Sequence, residues 1–189
     1  MKTNMMKITS VVGFLLCATT PAFADAPKVP SNAPYFAVAD NLDEPNGYGF
    51  CMDTAGRGLT DLLQAHTCKP VRVSKDKDKE EKPTPSDTQF WYDAENKRLE
   101  SVAFPGKCMQ VLMSPYTTVF ALLDCGDQPR QKFLYSTDDK MLKMEEDQTK
   151  CISVVSETVK AGPWSSRALA LTECDKTEDA LKQWIYVSK

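Results

Sequence analysis

The feature that most constrains the fold of this chain is a cysteine pattern that occurs three times. Cysteines open the three copies at positions 51, 108 and 151, and a second cysteine follows in each copy, at positions 68, 125 and 174. The two cysteines are 17 positions apart in the first two copies and 23 apart in the third. Such repetition indicates one supersecondary unit whose copies must pack together to bury an apolar core. The sequence therefore predicts a fold with three equivalent parts.

Each copy also contains a glutamine or lysine two residues before an aromatic residue. These motifs are Gln-Phe-Trp at 89–91, Gln-Lys-Phe at 131–133 and Lys-Gln-Trp at 182–184. They follow the cysteine pair in every copy, so the cysteines and the aromatic motif belong to the same repeated unit.

The first copy is longer than the second because it contains a charged segment, which we place at residues 74–86. Lysines alternate with acidic residues over 75–82, and Pro83 and Pro85 follow. Such a run has no hydrophobic period and is too polar to bury. It is predicted to be a solvated loop insertion.

The first 24 residues have the organisation of a secretory signal peptide. Lys2 and Lys7 precede the apolar stretch 8–18, and small residues lead up to Ala24. This pattern is typical of a segment removed by signal peptidase, and the apolar run is shorter than the roughly 20 residues that span a bilayer. We expect cleavage near Ala24, a secreted or periplasmic protein, and no transmembrane segment.

Export determines how the cysteines are interpreted. The chain has seven, and removal of Cys17 with the leader leaves an even number, which in an exported protein favours disulfides. The repeat selects one pair per copy. The predicted disulfides are Cys51–Cys68, Cys108–Cys125 and Cys151–Cys174. A zinc site is not expected, because the sequence has no Cys-x-x-Cys spacing and a single histidine, His66.

Composition argues against several function classes. The formal net charge is −3, and the dense basic stretch at 75–82 is neutralised by its own acids, so no nucleic-acid surface is expected. A catalytic triad would have to use His66, which has no partner motif near it, and no glycine-rich phosphate loop is present. We therefore expect neither enzymatic activity nor a cofactor.

Short segments rich in aromatic and β-branched residues, separated by turn residues, predict an all-β domain. The cysteine and Gln-x-aromatic patterns resemble those of the ricin B-chain type (R-type) lectins, in particular Cys-x-Asp at 51–53 and Gln-x-His-x-Cys at 64–68. The resemblance covers residues 34–189 and implies a single β-trefoil of three repeats. It also implies that Trp91, Phe133 and Trp184 are core residues that pack against one another. Residues 25–33 are then an N-terminal extension.

In these lectins each repeat can form a shallow sugar pocket, and the resemblance implies one in the first repeat. The residues at the matching positions are Asp53, Gln64, His66, Thr88 and Gln89. A carboxylate accepts two hydrogen bonds from vicinal hydroxyls, and a flat ring lies under the sugar. His66 stands where tryptophan or tyrosine is commoner, and Thr88 stands where asparagine is usual.

The other two repeats lack this set. The corresponding residues are Gln110, Ala121 and Leu123 in the second repeat, and Ser153, Ala170 and Thr172 in the third. We interpret these positions as scaffold. The first-repeat residues also have ordinary explanations, since Asp53 fits a turn cap and Gln64 and His66 fit a solvated surface. Trp164 is either an exposed binding platform or half-buried packing.

Two functions follow from the resemblance. The first is a secreted carbohydrate-binding lectin that holds a glycan, glycoprotein or glycolipid in the first-repeat pocket. The second is a non-catalytic interaction or cell-binding subunit of a bacterial toxin assembly, with a partner toxin chain and vestigial sugar sites. The binding subunits of cytolethal distending toxins are similar exported single trefoils, and residues 25–33 match their N-terminal extension in kind, although they are fewer.

Overall fold

The structure is a computed structural model, and it describes residues 25–55, 62–70 and 87–189. The predicted signal peptide at 1–24 and the predicted insertion at 74–86 lie outside the described residues. Within the described part of the chain, no helix is both long and apolar enough to cross a bilayer.

The described chain is almost entirely β-structure, arranged as three repeats. The first repeat contains β1 (Tyr35–Val38), β2 (Phe50–Thr54), β3 (Leu63–Thr67) and β4 (Phe90–Asp93). The second contains β5 (Arg98–Ser101), β6 (Lys107–Met113), β7 (Thr118–Asp124), a 3₁₀ turn (Pro129–Gln131) and β8 (Phe133–Tyr135). The third contains β9 (Leu142–Met144), β10 (Lys150–Val154), β11 (Val159–Ala161), β12 (Trp164–Glu173), the short helix α1 (Asp179–Lys182) and β13 (Trp184–Val187).

Six of these strands form a closed barrel. Antiparallel pairing joins β4 to β5, β8 to β9, and β13 back to β1. The remaining junctions are closed by backbone hydrogen bonds from the first residue of β4, β8 and β13. These bonds run from Phe90 N–H to Pro34 O (3.0 Å), from Phe133 N–H to Lys97 O (2.7 Å) and from Trp184 N–H to Lys140 O (2.7 Å). Closure leaves these strands without a free edge.

Three further hairpins cover one end of the barrel, and we call them the cap hairpins. They are β2–β3, β6–β7 and β10–β12, one from each repeat. β3, β7 and β12 contact one another. This arrangement confirms the predicted all-β β-trefoil.

The core lies inside the barrel and beneath the cap hairpins. Phe90, Phe133 and Trp184 are fully buried, whereas Trp91 is 46% exposed. The prediction is therefore confirmed for Phe133 and Trp184 and wrong for Trp91. The first-copy motif is Thr-Gln-Phe at 88–90, because Phe90 opens β4 as Phe133 opens β8 and Trp184 opens β13. Successive strand residues face opposite sides, so Trp91 points outward.

Three tyrosines, each two residues after a buried aromatic, form a ring around Phe36. The rings of Tyr92, Tyr135 and Tyr186 lie 6.1–6.2 Å apart in edge contacts, and Phe36 stacks on Tyr186 at 4.6 Å.

The hydroxyl groups of the three tyrosines also connect the repeats through hydrogen bonds. Tyr92 Oη donates to Phe133 O and accepts from Tyr135 N–H (both 3.1 Å), and Tyr135 Oη donates to Trp184 O (3.0 Å) and accepts from Tyr186 N–H (3.2 Å). Tyr186 Oη accepts from Tyr92 N–H at 3.1 Å.

The three predicted disulfides are confirmed. Cys51–Cys68, Cys108–Cys125 and Cys151–Cys174 have Cα–Cα distances of 4.9, 4.9 and 5.1 Å. Each closes a loop that stabilises the fold by about 3 kcal/mol in the chain-entropy model. Each also joins the two strands of one cap hairpin near the barrel.

The longer third copy builds an additional piece of sheet that lies on the first repeat. β11 pairs with residues 164–166 of β12, and residues 166–168 of β12 pair with β3, so that Ser166 lies opposite His66. Trp164, the first residue of β12, is half-buried and lies 6.4 Å from the Tyr48 ring. This contact favours the packing interpretation of Trp164.

Candidate functional site

The first cap hairpin brings three of the five predicted site residues together. Asp53 on β2 lies opposite Gln64 on β3, and Cys51 lies opposite His66. Directly opposed residues share a face of a sheet, and so do residues two apart on one strand. Asp53, Gln64 and His66 therefore lie on one face, while Met52 and Ala65 face the core.

Asp53 is fully buried and lies beside a lysine. Its Oδ2 is 2.8 Å from the Nζ of Lys69, and the same Nζ is 2.8 Å from Oδ2 of Asp87. The Lys69 and Asp87 side chains are 28% and 31% exposed, respectively. Neither carboxylate oxygen of Asp53 has a hydrogen-bond partner of good geometry among the described residues, so its contact with Lys69 is an ion pair. We call Asp53, Lys69 and Asp87 the charged cluster.

Burial controls the ionisation of this cluster. Burial, and after it the charge of Asp87, raise the pKa of Asp53, while Lys69 and the Thr54 backbone lower it, so that the net pKa is about 7. For Lys69, burial lowers the pKa, but the two carboxylates outweigh burial and the net pKa is raised. Lys69 is therefore charged at neutral pH, whereas Asp53 titrates close to it.

His66 is buried beside the charged cluster. Its Nδ1 is 3.0 Å from the backbone carbonyl oxygen of Thr67 and 3.8 Å from Asp53 Oδ2. Because a carbonyl only accepts, Nδ1 carries the proton and Nε2 is the accepting nitrogen of the neutral ring. Burial lowers the pKa of His66, which keeps it neutral at pH 7. Since the ring is buried, it offers little flat surface to a sugar in this conformation.

Thr88 and Gln89 lie on the segment that leads into β4. Thr88 is fully buried, and it occupies the position taken by Gln131 and Lys182 in the other repeats. The Gln89 side-chain amide donates to the backbone carbonyl of Ala33 at 2.7 Å. This segment reaches the cap hairpin through Asp87, which contacts Lys69.

Sequence reasoning missed Lys69 and Asp87. Lys69 directly follows the second cysteine of its copy, where the other copies have Gly126 and Asp175. The first copy alone has both a lysine at this position and an acid two residues after its first cysteine. This combination could have predicted an ion pair between Lys69 and Asp53. The signal for Asp87 was weaker. Asp87 directly follows the charged insertion, so its charge is easily attributed to that solvated segment.

The second repeat has a neutral network at the equivalent place. Gln110 stands in the position of Asp53, and its Oε1 accepts from Gln131 Nε2 at 2.9 Å. Gln131 also donates to Asp124 O (2.9 Å) and accepts from Gly126 N–H (2.8 Å). An open cleft of about 290 Å³ lies beside Gln110, lined also by Gln128, Pro129, Arg130 and Glu146. The second repeat therefore contains an accessible concavity, which sequence reasoning did not predict.

The third repeat uses hydroxyls and a lysine. Thr172 Oγ1 donates to Ser153 Oγ at 3.0 Å. Lys182, at the position of Gln131, donates to the carbonyl oxygens of Cys174 (2.7 Å) and Thr177 (2.8 Å). Each repeat thus has a polar centre beside its disulfide, and each centre is built from different side chains.

Solved structures with the same fold include carbohydrate-binding domains. The β-trefoil lectin of the Vibrio vulnificus hemolysin/cytolysin, solved with N-acetyl-D-lactosamine bound, has a TM-score of 0.50 and 11% identity, covering 82% of this chain and 93% of that chain. GalNAc-T7, solved with UDP, GalNAc and Mn²⁺, has a TM-score of 0.50 and 10% identity, covering 84% of this chain but 23% of that chain. The mdaA-1 domain has a TM-score of 0.50 and 13% identity, covering 88% and 96%.

At these identities the likeness shows the fold alone. No protein-family model matches the sequence, and the search of curated proteins found no match. The resemblance to the ricin-type β-trefoil lectins is confirmed at the level of architecture and disulfides.

Proposed function

We propose that the protein is a non-catalytic, lectin-like carbohydrate-binding module that binds a glycan at its first repeat. The observation that carries this proposal is the charged cluster. The first repeat places Asp53, Lys69 and Asp87 in contact at its polar centre, whereas the equivalent acid position is Gln110 in the second repeat and Ser153 in the third.

The chemistry of the cluster suits a sugar. Hydroxyl groups both donate and accept hydrogen bonds, and bonds that involve an ionised partner are about twice as strong as neutral ones. Gln64 is partly exposed on the same face as Asp53, and its amide adds a donor and an acceptor. In this proposal Gln64 lines the site, Asp53 and His66 lie buried beneath it, and the segment with Thr88 and Gln89 forms its side.

Binding without catalysis is supported by the state of the groups that nucleophilic catalysis would need. The six cysteines in the described residues are all in disulfides. The one histidine of the chain is buried and donates to a backbone carbonyl. The same disulfides support export to an oxidising compartment, which agrees with the leader predicted at 1–24.

A second candidate is an interaction subunit of a toxin assembly. Two observations favour it: Asp53 and Thr88 are fully buried, and the Gln89 amide is bound to Ala33. The tip of the second cap hairpin also exposes apolar surface, since Met113 is exposed and Tyr116 is 96% exposed. In this case the sugar site is vestigial and the trefoil binds another protein.

The experiment is a glycan array on the mature protein with two variants. Asp53→Asn removes the charge at the first-repeat centre with little change in shape, and Arg130→Ala alters the open cleft of the second repeat. We expect the wild type and Arg130→Ala to bind the same glycans equally well and Asp53→Asn to bind them more weakly. Unchanged binding by a folded Asp53→Asn protein would contradict the proposed site. If no glycan binds the wild type, the second candidate is favoured.

A further inference from the structure

We propose that Lys69 and Asp87 are the glycan-contacting pair of the first repeat, that Asp53 is a buried positioning residue behind them, and that the ligand is a neutral glycan presenting vicinal hydroxyls. The inference rests on the proposed function and deepens it. It assigns the contacts to two residues that the cysteine and Gln-x-aromatic motifs do not include.

Accessibility separates the roles of the two carboxylates. Asp53 has no exposed surface, so a ligand cannot touch it in this conformation, while Asp87 and Lys69 are each about a third exposed. Lys69 Nζ lies between them at 2.8 Å from each. The buried carboxylate therefore acts on a ligand through Lys69, and the outer carboxylate acts directly.

The hydrogen bonds of Lys69 leave donor capacity for a ligand. An ammonium has three N–H donors; one donates to Asp87 Oδ2, and the contact with Asp53 Oδ2 is an ion pair without a hydrogen bond of good geometry. Lys69 Nζ has no other partner among the described residues. Next to this donor is the Asp87 carboxylate, which is an acceptor, so one sugar hydroxyl can accept from Lys69 while its neighbour donates to Asp87. This complementarity is that of a vicinal diol.

Two carboxylates also hold the lysine in place before a ligand arrives. A free lysine side chain loses much rotamer freedom on binding, and a donor that is already fixed avoids that loss. The position of Asp53 below Lys69 and of Asp87 beside it fixes the ammonium from two directions. Such preorganisation is the function we assign to Asp53.

The charge balance selects the ligand class. Above about pH 7, where Asp53 is ionised, one cation between two carboxylates leaves an excess of negative charge. A glycan with its own carboxylate or sulfate would be repelled by this excess, and the neutral imidazole of His66 does not offset it. Neutral glycans are therefore expected to bind better than sialylated ones.

The test measures glycan affinity for the mature protein, using the best neutral glycan from an array and its sialylated counterpart. The variants are Lys69→Gln and Asp87→Asn, and the matched control is Lys107→Gln. Lys107 Nζ is 2.8 Å from Asp124 Oδ1 in the second repeat, and its side chain is 30% exposed, so the lysine matches Lys69 in distance and exposure, while its partner Asp124 is 91% exposed. We expect about tenfold weaker binding or more for the two variants and less than about twofold change for the control.

The positioning role of Asp53 has its own readout, the pH profile of binding. The titratable and charged groups around it are Lys69, Asp87 and His66. As pH rises through about 7, Asp53 ionises and holds Lys69 more firmly, so wild-type affinity should increase. Asp53→Asn keeps His66 but cannot ionise, and its profile should be flat in that interval. A residue that served only the fold would leave the wild-type profile flat as well.

The outcomes separate this inference from the proposed function. If the wild type binds no glycan, the proposed function fails. If the wild type binds but Lys69→Gln and Asp87→Asn bind equally well, the function stands and this inference is overturned. A preference for the sialylated glycan overturns the ligand class. Should Lys69→Gln fail to fold, Asp87→Asn decides, because Asp87 is partly exposed and its replacement leaves Asp53 paired with Lys69.

Discussion

The first and second repeats share a scaffold and differ at its polar centre. Their disulfides span the same 17 positions with the same Cα–Cα distance of 4.9 Å, and β4 and β8 both open on a buried phenylalanine. Yet Asp53, Lys69 and Asp87 form a centre of ionisable side chains in one repeat, while Gln110 and Gln131 form a centre of amides in the other. The scaffold therefore does not dictate the chemistry of the centre.

The difference also shows which centre is costly. Taking charges out of water is expensive, and a buried ion pair is seldom more stabilising than a neutral arrangement of similar volume. An amide network with its groups satisfied avoids that cost. The second repeat shows that the scaffold can form with an amide network at this place. The ionisable side chains of the first repeat are therefore better explained by a function than by stability.

The pH dependence of stability should distinguish the repeats most strongly. The pKa of Asp53 is raised in the folded protein to about 7 from an unfolded value near 4, so the folded state binds the proton more tightly. This contribution is fully present below about pH 4 and is lost as pH rises to about 7, on the order of 4 kcal/mol. Urea unfolding of the wild type and Asp53→Asn from pH 4 to 8 measures this contribution as a difference in the slope of unfolding free energy against pH. If the two slopes are equal, the first repeat does not contribute this pH dependence.

The next largest effect should come from Lys69→Met. The substitution leaves the Asp53 carboxylate buried without its cation, which we expect to cost about 3 kcal/mol at pH 8 and less at pH 5, where Asp53 is protonated. Lys107→Met removes the corresponding lysine of an exposed pair and should cost under about 1 kcal/mol. Both losses of unfolding free energy are measured by denaturant titration. Equal losses for the two variants would contradict the expectation that the Asp53–Lys69 pair depends on its burial.

A smaller effect without pH dependence is expected from Gln131→Ala. Gln131 is buried and makes three hydrogen bonds, and its removal leaves the partners unsatisfied at a cost of about 2 kcal/mol. None of these groups titrates between pH 5 and 8. The loss of unfolding free energy should therefore be the same at pH 5 and pH 8. A clear dependence on pH would mean that an ionisable group also interacts with the Gln131 network.

The sequence was sufficient to predict the scaffold because the scaffold is repeated. Three cysteine pairs in register identified the disulfides, and the aromatic motifs identified Phe133 and Trp184. The same reasoning chose Trp91 over Phe90, since a glutamine at position 89 imitates the motif by chance. A slip of one residue along a strand exchanges the inward and outward faces, and only the pairing of β4 with its neighbours determines which residue points inward.

The charged cluster could not be predicted from the repeats, because its contacts do not recur in the other copies. Asp53 was identified from its place after Cys51, but the sequence does not show that its side chain is fully buried. Lys69 and Asp87 are 18 positions apart, and the charged insertion lies between them. Their contact through a long flexible side chain has no periodic signature, so it became apparent only in three dimensions.

The tyrosine ring makes the three repeats dependent on one another during folding. Tyr92 bonds to the backbone of the second repeat, Tyr135 to that of the third, and Tyr186 accepts from the first, so the ring cannot close until the last strand has arrived. No single repeat should persist as a folded fragment. Since β13 pairs with β1 along this seam, the two ends of the domain lie together, and joining them while opening the chain at an exposed hairpin tip such as Tyr116 would keep the ring whole.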